Sequence, residues 1–319
     1  MKKLSVKSAA PGKLVAGLSF AVLCTVPGAA SADAVAQAIL AVTGFKITTG
    51  AVNPTGSVSG LGEVNVGLNG VSASTGSVTG PNYSAELSLG AGYVANSKIL
   101  GAPTGTFVGG KTDVAGNAIV NAGGTGAAAL SDSTVSISPQ GFGNAATITG
   151  TTFDWTFTLT QSALIDIAFD ADLFLRSFLS GSPILVTIPP ASATANSNWS
   201  VSIDGTAGRL FNWAPDGTTG ALTGVNNLIG GTVTASAFSL NTGVTASRLL
   251  PTPLVTNSFG SFAARTNLIG PGDYTLTINH KTDANARVSV PEPGSLALVG
   301  LSLLGLAGIG HRRAKRQAA

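Results

Sequence analysis

The chain has 319 residues, of which only 10% are charged and 6% aromatic, while glycine alone occurs 42 times. That length allows one large or two ordinary domains, and the scarcity of charge is unlike a cytosolic enzyme, where about a quarter of residues are charged. A net charge of +3 invites a nucleic-acid partner, but eight of the 17 lysines and arginines sit in the two terminal segments and the stretch between them is mildly acidic, which argues against one.

Residues 1–32 read as a secretory signal peptide. Lys2, Lys3, Lys7 and Lys13 precede an apolar run from Leu14 to Val26, and Ala30-Ser31-Ala32 offers small residues to signal peptidase after passage through the translocon. The mature chain is expected to begin at Asp33. The apolar run is shorter than the ~20 residues a spanning helix needs. Cys24, the one cysteine, lies inside it behind Leu23, so lipidation is not expected and the mature chain has no disulfide.

Residues 33–131 form a Gly/Ala/Ser/Thr-rich β region. Gly62-Glu63-Val64-Asn65-Val66-Gly67-Leu68 and Tyr83-Ser84-Ala85-Glu86-Leu87-Ser88-Leu89 alternate as exposed strands do. Ala34 to Val42 fits a helical turn or two as well as a strand. Gly56-Ser57-Val58-Ser59-Gly60 and Gly76-Ser77-Val78-Thr79-Gly80 echo each other, but the spacing is not sustained as a solenoid requires.

Residues 132–289 carry stronger strand signals. Phe153-Asp154-Trp155-Thr156-Phe157-Thr158-Leu159-Thr160 alternates strictly, which puts Phe153, Trp155, Phe157 and Leu159 on one buried face. Ile165, Ile167 and Phe169 repeat the pattern. Trp199-Ser200-Val201-Ser202-Ile203 and Tyr274-Thr275-Leu276-Thr277-Ile278-Asn279-His280 follow it, with turn chemistry at Asp204-Gly205 and Asp216-Gly217. Only Leu173 to Leu179 looks locally helical. The expected fold is mainly β, an antiparallel β-sandwich with the jelly roll as one of its forms.

Residues 290–316 form a tripartite tail. Val290-Pro291-Glu292-Pro293-Gly294 is followed by an apolar segment from Leu296 to Gly310, expected as a transmembrane helix, and by the basic cluster His311-Arg312-Arg313-Ala314-Lys315-Arg316. This tail closely resembles the PEP-CTERM sorting signal of Gram-negative bacteria. The resemblance implies that an exosortase, a membrane-embedded cysteine transpeptidase, reads Val290, Pro291, Glu292 and Pro293 and cuts the tail, and that the setting is a biofilm or exopolysaccharide matrix. The stretch from Phe153 to His280 is also similar to the body of a recurrent PEP-CTERM protein group, through Phe-Asp-Ala-Asp at 169–172, Trp-Ala-Pro-Asp-Gly at 213–217 and Tyr-Thr-Leu-Thr-Ile-Asn-His at 274–280. That second resemblance implies a fold and an address rather than a reaction.

Catalytic chemistry has little to draw on. With His311 in the tail, a histidine-based triad depends on His280 alone. A glycosidase needs two facing carboxylates, whereas the acidic residues are scattered and the body has only Glu63 and Glu86 as glutamates. No enzyme and no cofactor are expected. Asp166, Asp170 and Asp172 are the candidate calcium ligands, Asp172 joining the other two only if the strand bends near Ala171. Trp199 and Trp213 are candidate sugar platforms, since exposed aromatic rings stack on glycans. The sequence thus predicts an exported structural or adhesive protein, anchored briefly in the inner membrane and then placed on the cell surface or in the matrix, with exopolysaccharide as a partner. A lectin-like carbohydrate-binding module and a polysaccharide hydrolase are the alternatives.

Overall fold

The structure, a computed structural model, describes residues 32–49, 58–80, 82–101, 105–116, 126–138, 143–181, 191–222, 230–247 and 252–288, together with Ser302. In chain order the strands are β1 (Ala32–Thr48), β2 (Val58–Leu68), β3 (Val71–Ser74), β4 (Val78–Thr79), β5 (Tyr83–Gly90), β6 (Phe107–Ala115), β7 (Ala127–Ile137) and β8 (Gly143–Leu159). They continue with β9 (Asp166–Gly181), β10 (Ser192–Gly205), β11 (Gly208–Trp213), β12 (Gly220–Ala221), β13 (Gly231–Ser236), β14 (Thr242–Ala246), β15 (Leu254–Thr266) and β16 (Gly272–Val288). Among the described residues every strand pairing is antiparallel. No helix in them is long and apolar enough to cross a membrane. The expected transmembrane helix from Leu296 to Gly310 falls, apart from Ser302, outside the described residues.

Two sheets form a sandwich. Sheet A has the order β12-β13-β15-β9-β1-β7-β6-β5, and sheet B the order β11-β10-β16-β8-β2-β3, with β14 added beside β10 and β4 beside β2. Three neighbouring ribbons, β1 to β2, β9 to β8 and β15 to β16, each run from sheet A into sheet B. The division expected between residues 131 and 132 falls inside β7, and β1 lies between β7 and β9. The glycine-rich part therefore shares both sheets with the rest.

The alternating segments bury the faces their sequences predict. Phe153, Trp155, Phe157 and Leu159 of β8 point into the core, as do Ile167 and Phe169 of β9 and Val201 and Ile203 of β10. Their centre is aromatic: Phe169 lies 4.5 Å from Trp199 and 5.0 Å from Phe262, and Phe153 lies 5.3 Å from Trp155, as ring centroids. A bulge between Thr43 and Lys46 in β1 changes which parity faces inward. Before it Ala34, Ala36, Ala38, Leu40 and Val42 face the core; after it Phe45 and Ile47 do. Gly44, at φ 60°, supplies the left-handed backbone this step requires. Phe45 thereby reaches Trp155 and Phe169, at 6.0 and 5.7 Å.

Two local expectations change. Ala34 to Val42 is strand throughout, and Leu173 to Leu179, expected to be helical, lies within β9. Both are central strands buried on two sides, so their apolar residues run together without the period-two signal of a half-buried strand. Leu173, Leu175 and Leu179 face the sandwich core, while Phe174 and Arg176 are buried on the opposite side.

Between β7 and sheet B the interior is polar. Ser131 Oγ pairs with Thr282 Oγ1 at 2.9 Å and donates to the Thr149 carbonyl at 3.1 Å, and Ser133 Oγ donates to the Thr282 carbonyl at 3.0 Å. Thr112 and Thr151 pair at 2.8 Å, and the Tyr83 hydroxyl also meets Thr151. These small hydroxyls are satisfied inside the protein, each bond adding about 1 kcal/mol, whereas an orphaned one would cost more.

Candidate functional site

The outer faces of the two sheets differ in kind. Sheet A is crossed by a strap of chain from Ala91 to Gly101, laid over β6, β7, β1 and β9. Tyr93 covers Gly109, where an added Cβ would come within 2.3 Å of the ring. The strap then donates its Asn96 N–H to Asp132 at 2.7 Å and its Ile99 N–H to Gln37 at 2.8 Å. Gln37 Nε2 returns a bond to the Ser97 carbonyl at 2.9 Å, and Arg176 donates to the carbonyls of Ile99 and Gly101, the latter at 2.7 Å. Lys98 completes the crossing with an ion pair to Asp172 at 3.1 Å.

Asp132 is fully enclosed by this arrangement. Desolvation pushes its carboxyl up to about 6, against the hydrogen bonds from Thr134 at 2.7 Å, Asn96 and the Tyr93 hydroxyl at 3.2 Å, which favour the anion. Burial, with the Asp132 charge second, raises the Tyr93 phenol as well. The strap closes over these groups, so that part of sheet A is covered, while β15 beside it leaves Phe259 exposed.

Sheet B is open. A trough of about 420 Å³ crosses β2, β8, β16 and β10. Registry sets its rows: Glu63, Gly150, Lys281 and Asn198 lie side by side across the four strands, and Leu61, Thr152, Asn279 and Ser200 form the next row. All alternate with core residues and face outward, and apart from Leu61 and Gly150 they are polar. Gly150 makes the floor, because it puts no side chain between the Glu63 and Lys281 walls. Thr152 Oγ1 donates to Asn279 at 3.3 Å, and Glu63 accepts from Ser74 at 3.3 Å. Asn241 fixes the rim: its Oδ1 accepts the Trp199 N–H at 2.9 Å, while its Nδ2 donates to the Trp199 and Pro215 carbonyls at 3.0 and 3.1 Å. Among the described residues Lys281 makes no ion pair. Chemically the trough offers amides, hydroxyls, one carboxylate and one ammonium to a ligand rich in hydroxyls.

The residues singled out in the sequence fall elsewhere. Trp199 and Trp213 are 1% and 2% exposed and pack on Phe169, so neither ring is a sugar platform; their alternation with polar residues marks core positions. The three aspartates of β9 do share a face, and the strand runs through Ala171 without a bend, paired on both sides. Each has a protein neighbour of its own: Arg265 Nη2 reaches Asp166 at 2.9 Å, Ser261 Oγ reaches Asp170 at 2.6 Å, and Lys98 holds Asp172. Among the described residues no three His, Cys, Asp or Glu side chains converge as a metal site.

His280 is fully buried on the core face of β16, and desolvation drives its imidazole down to about 4. Neither ring nitrogen has a well-formed hydrogen bond, the Leu40 backbone being only a weak counterweight. It is a neutral core residue, out of reach of any substrate. Ala32 and Asp33, at the expected signal-peptide junction, open β1, where Asp33 accepts from Ser180 Oγ at 2.9 Å. Ala30 and the Val290, Pro291, Glu292, Pro293 motif lie outside the described residues.

A family model described as the PEP-CTERM protein-sorting motif matches residues 289–313, the segment that follows β16. No curated protein matches the chain. Among solved structures, that of the infectious bursal disease virus Gt strain aligns over 88% of each chain at 9% identity with a TM-score of 0.10, a likeness too low to carry an argument.

Proposed function

We propose, from the premise that this is a PEP-CTERM sorting-domain protein exported and sorted through an exosortase, that its sandwich is a non-enzymatic structural or adhesive unit of the exopolysaccharide matrix. The observation that carries the reading is the position of the sorting motif, directly behind β16, the last strand among the described residues of the β-sandwich. The polysaccharide contact we assign to the sheet B trough. Its lining matches sugar hydroxyls with amides and hydroxyls and offers no exposed ring for stacking, so a single site binds weakly and retention relies on many copies meeting a repeating polymer. A hydrolase is disfavoured, since Glu63 is the trough's one carboxylate and the inverting and retaining mechanisms both need two.

Two experiments test this. In the native host, the mature species is expected to run from near Asp33 to near Pro291 and to leave the inner membrane only when the exosortase is present; an uncut, membrane-held chain in both strains would remove the sorting basis. Affinity electrophoresis in gels containing the host's exopolysaccharide should retard the protein, and Lys281→Ala with Asn198→Ala should lower that retardation about tenfold, in line with two lost hydrogen-bonding side chains. Equal retardation of both proteins would dismiss the trough as the contact.

A further inference from the structure

Phe259 stands 73% exposed in the middle of β15, the one exposed aromatic side chain among the described residues. Strand alternation accounts for its direction, since Phe262 and Ala264 of the same strand lie in the core, but not for its chemistry. Its outward neighbours along the strand, Asn257 and Ser261, are polar, and a third polar side chain would serve solubility better than a phenyl ring.

The ring is set in a fixed polar frame. Asp172 of β9 lies in register beside it, with Phe174 opposite Asn257 and Asp170 opposite Ser261. Lys98 comes down from the strap onto this frame. Its Nζ donates to both Asp172 oxygens and to Asn257 Oδ1, each at 3.1 Å, and lies 5.6 Å from the centroid of the Phe174 ring. With the Asn257 oxygen taken, its Nδ2 is the part of the amide left to donate. Asp172 keeps lone pairs beyond those that Lys98 uses, and its side chain is 42% exposed. Ser261 Oγ, held on Asp170 at 2.6 Å, closes the other end. Acceptor and donor thus stand one strand spacing, ~4.8 Å, and one pleat repeat, ~6.7 Å, from the ring.

We propose that Phe259 is a stacking platform for one pyranose ring of a polysaccharide, with Asp172 accepting from its rim hydroxyls and Asn257 donating to them. A pyranose face lined by axial C–H groups carries partial positive charge, which suits the negative face of an aromatic ring, while its rim hydroxyls need a few directed polar groups within reach. A protein partner would call for a continuous apolar surface; here polar groups bound the ring on three sides. The ion pair, the amide and the Phe174 ring hold Lys98 in place, so the frame loses little freedom when a sugar binds. The site differs from the sheet B trough in mode, stacking as well as hydrogen bonding, and in place, since the two lie on opposite outer faces of the sandwich. With the trough contact proposed above, on which this consequence rests, one molecule grips a polymer chain on each face and cross-links the two.

The test is affinity electrophoresis of the exported protein in gels containing exopolysaccharide purified from its host, with sedimentation of the polysaccharide as the measure of cross-linking. Phe259→Leu keeps an apolar side chain but removes the ring, and is expected to lower the apparent affinity about tenfold; Phe259→Tyr, which keeps the ring, should stay within about twofold of the parent. The ring lies outside the core, so the unfolding midpoints of both variants should match the parent's. Equal retardation of Phe259→Leu and the parent overturns the inference, as does a loss that Phe259→Tyr shares. A Phe259→Leu protein that keeps its retardation but passes from dimer to monomer overturns it in favour of a contact between copies. Phe259→Leu alone, or Lys281→Ala with Asn198→Ala alone, should stop the polymer from sedimenting while part of the retardation survives, and only their combination should abolish both. Retardation lowered by Phe259→Leu but untouched by the trough pair would sink the trough reading, and the cross-link with it, while upholding the stacking site.

Discussion

Removing the buried imidazole with His280→Leu should reveal a pH dependence of stability that the protein otherwise conceals. His280 has its folded pKa depressed from 6.5 to about 4. Below pH 6.5 the unfolded chain therefore takes up a proton that the folded one refuses, and stability falls as pH drops from about 6.5 to about 4. Asp132 acts in the opposite sense. Its folded pKa is raised from 3.8 to about 6, so its contribution is full below pH 3.8 and is lost as pH rises through 6. At about 1.4 kcal/mol per unit, each effect is on the order of 3 kcal/mol, and between pH 4 and 6 they nearly cancel. Urea unfolding followed by tryptophan fluorescence should then find the parent protein flat to about 1 kcal/mol over that range. His280→Leu should lose about 3 kcal/mol as pH rises from 4 to 6, and Asp132→Asn should lose about 3 kcal/mol as pH falls from 6.5 to 4. If His280→Leu kept the parent's flat profile, the imidazole would not be the buried neutral base its surroundings require.

Two further outcomes follow from the packing. Trp199→Ala should cost about 3–5 kcal/mol, as large core truncations do, and leave polysaccharide retardation unchanged at temperatures where the protein is folded, because the ring faces Phe169 and not the trough. Gly109→Val should drive Tyr93 off β6 and lift the strap; hydrogen exchange of residues 91–101 would quicken, and the Asp132 carboxyl, read by NMR titration, would fall from about 6 toward the ordinary range. An Asp132 titration that stays near 6 in Gly109→Val would separate the carboxyl's burial from the strap.

What the sequence made legible was set by how many faces of a strand are covered. Phe153 to Leu159 has one face in the core and one in solvent, and its alternation says so. β1 and Leu173 to Leu179 have two covered faces, the second supplied by a strap whose own residues carry no period, so the signal vanished and a helix looked reasonable. The aromatic positions were legible as strand residues, but the burial of Trp199 and Trp213 was not, since alternation fixes a face without saying which face is inside. The sorting tail was legible from local order alone. The trough was not: Glu63, Gly150, Asn198 and Lys281 are scattered along the chain and become one row only through the register of four strands. Their only trace in the sequence is polarity at the positions opposite the core.

The distribution of charge separates that row from the rest of the surface. A chain with so few charged residues uses most of those on sheet A as local pairs: Lys98 with Asp172, Lys111 with Glu86 and Asp113, Arg265 with Asp166. Such exposed pairs add little stability, but they leave much of that face's charge already paired. On sheet B, Glu63 and Lys281 stand two strand spacings apart, about 10 Å, with Gly150 between them, too far to pair with each other. Asn198 and Ser200 beside them make no side-chain bond within the sheet's described contacts. Solubility alone would be served as well by closing this gap with a threonine, as at the neighbouring Thr152. Keeping it open leaves the Lys281 ammonium and the Asn198 amide without a described partner and Glu63 with only its Ser74 bond around one notch, the arrangement that the proposed polysaccharide contact would use from both walls at once.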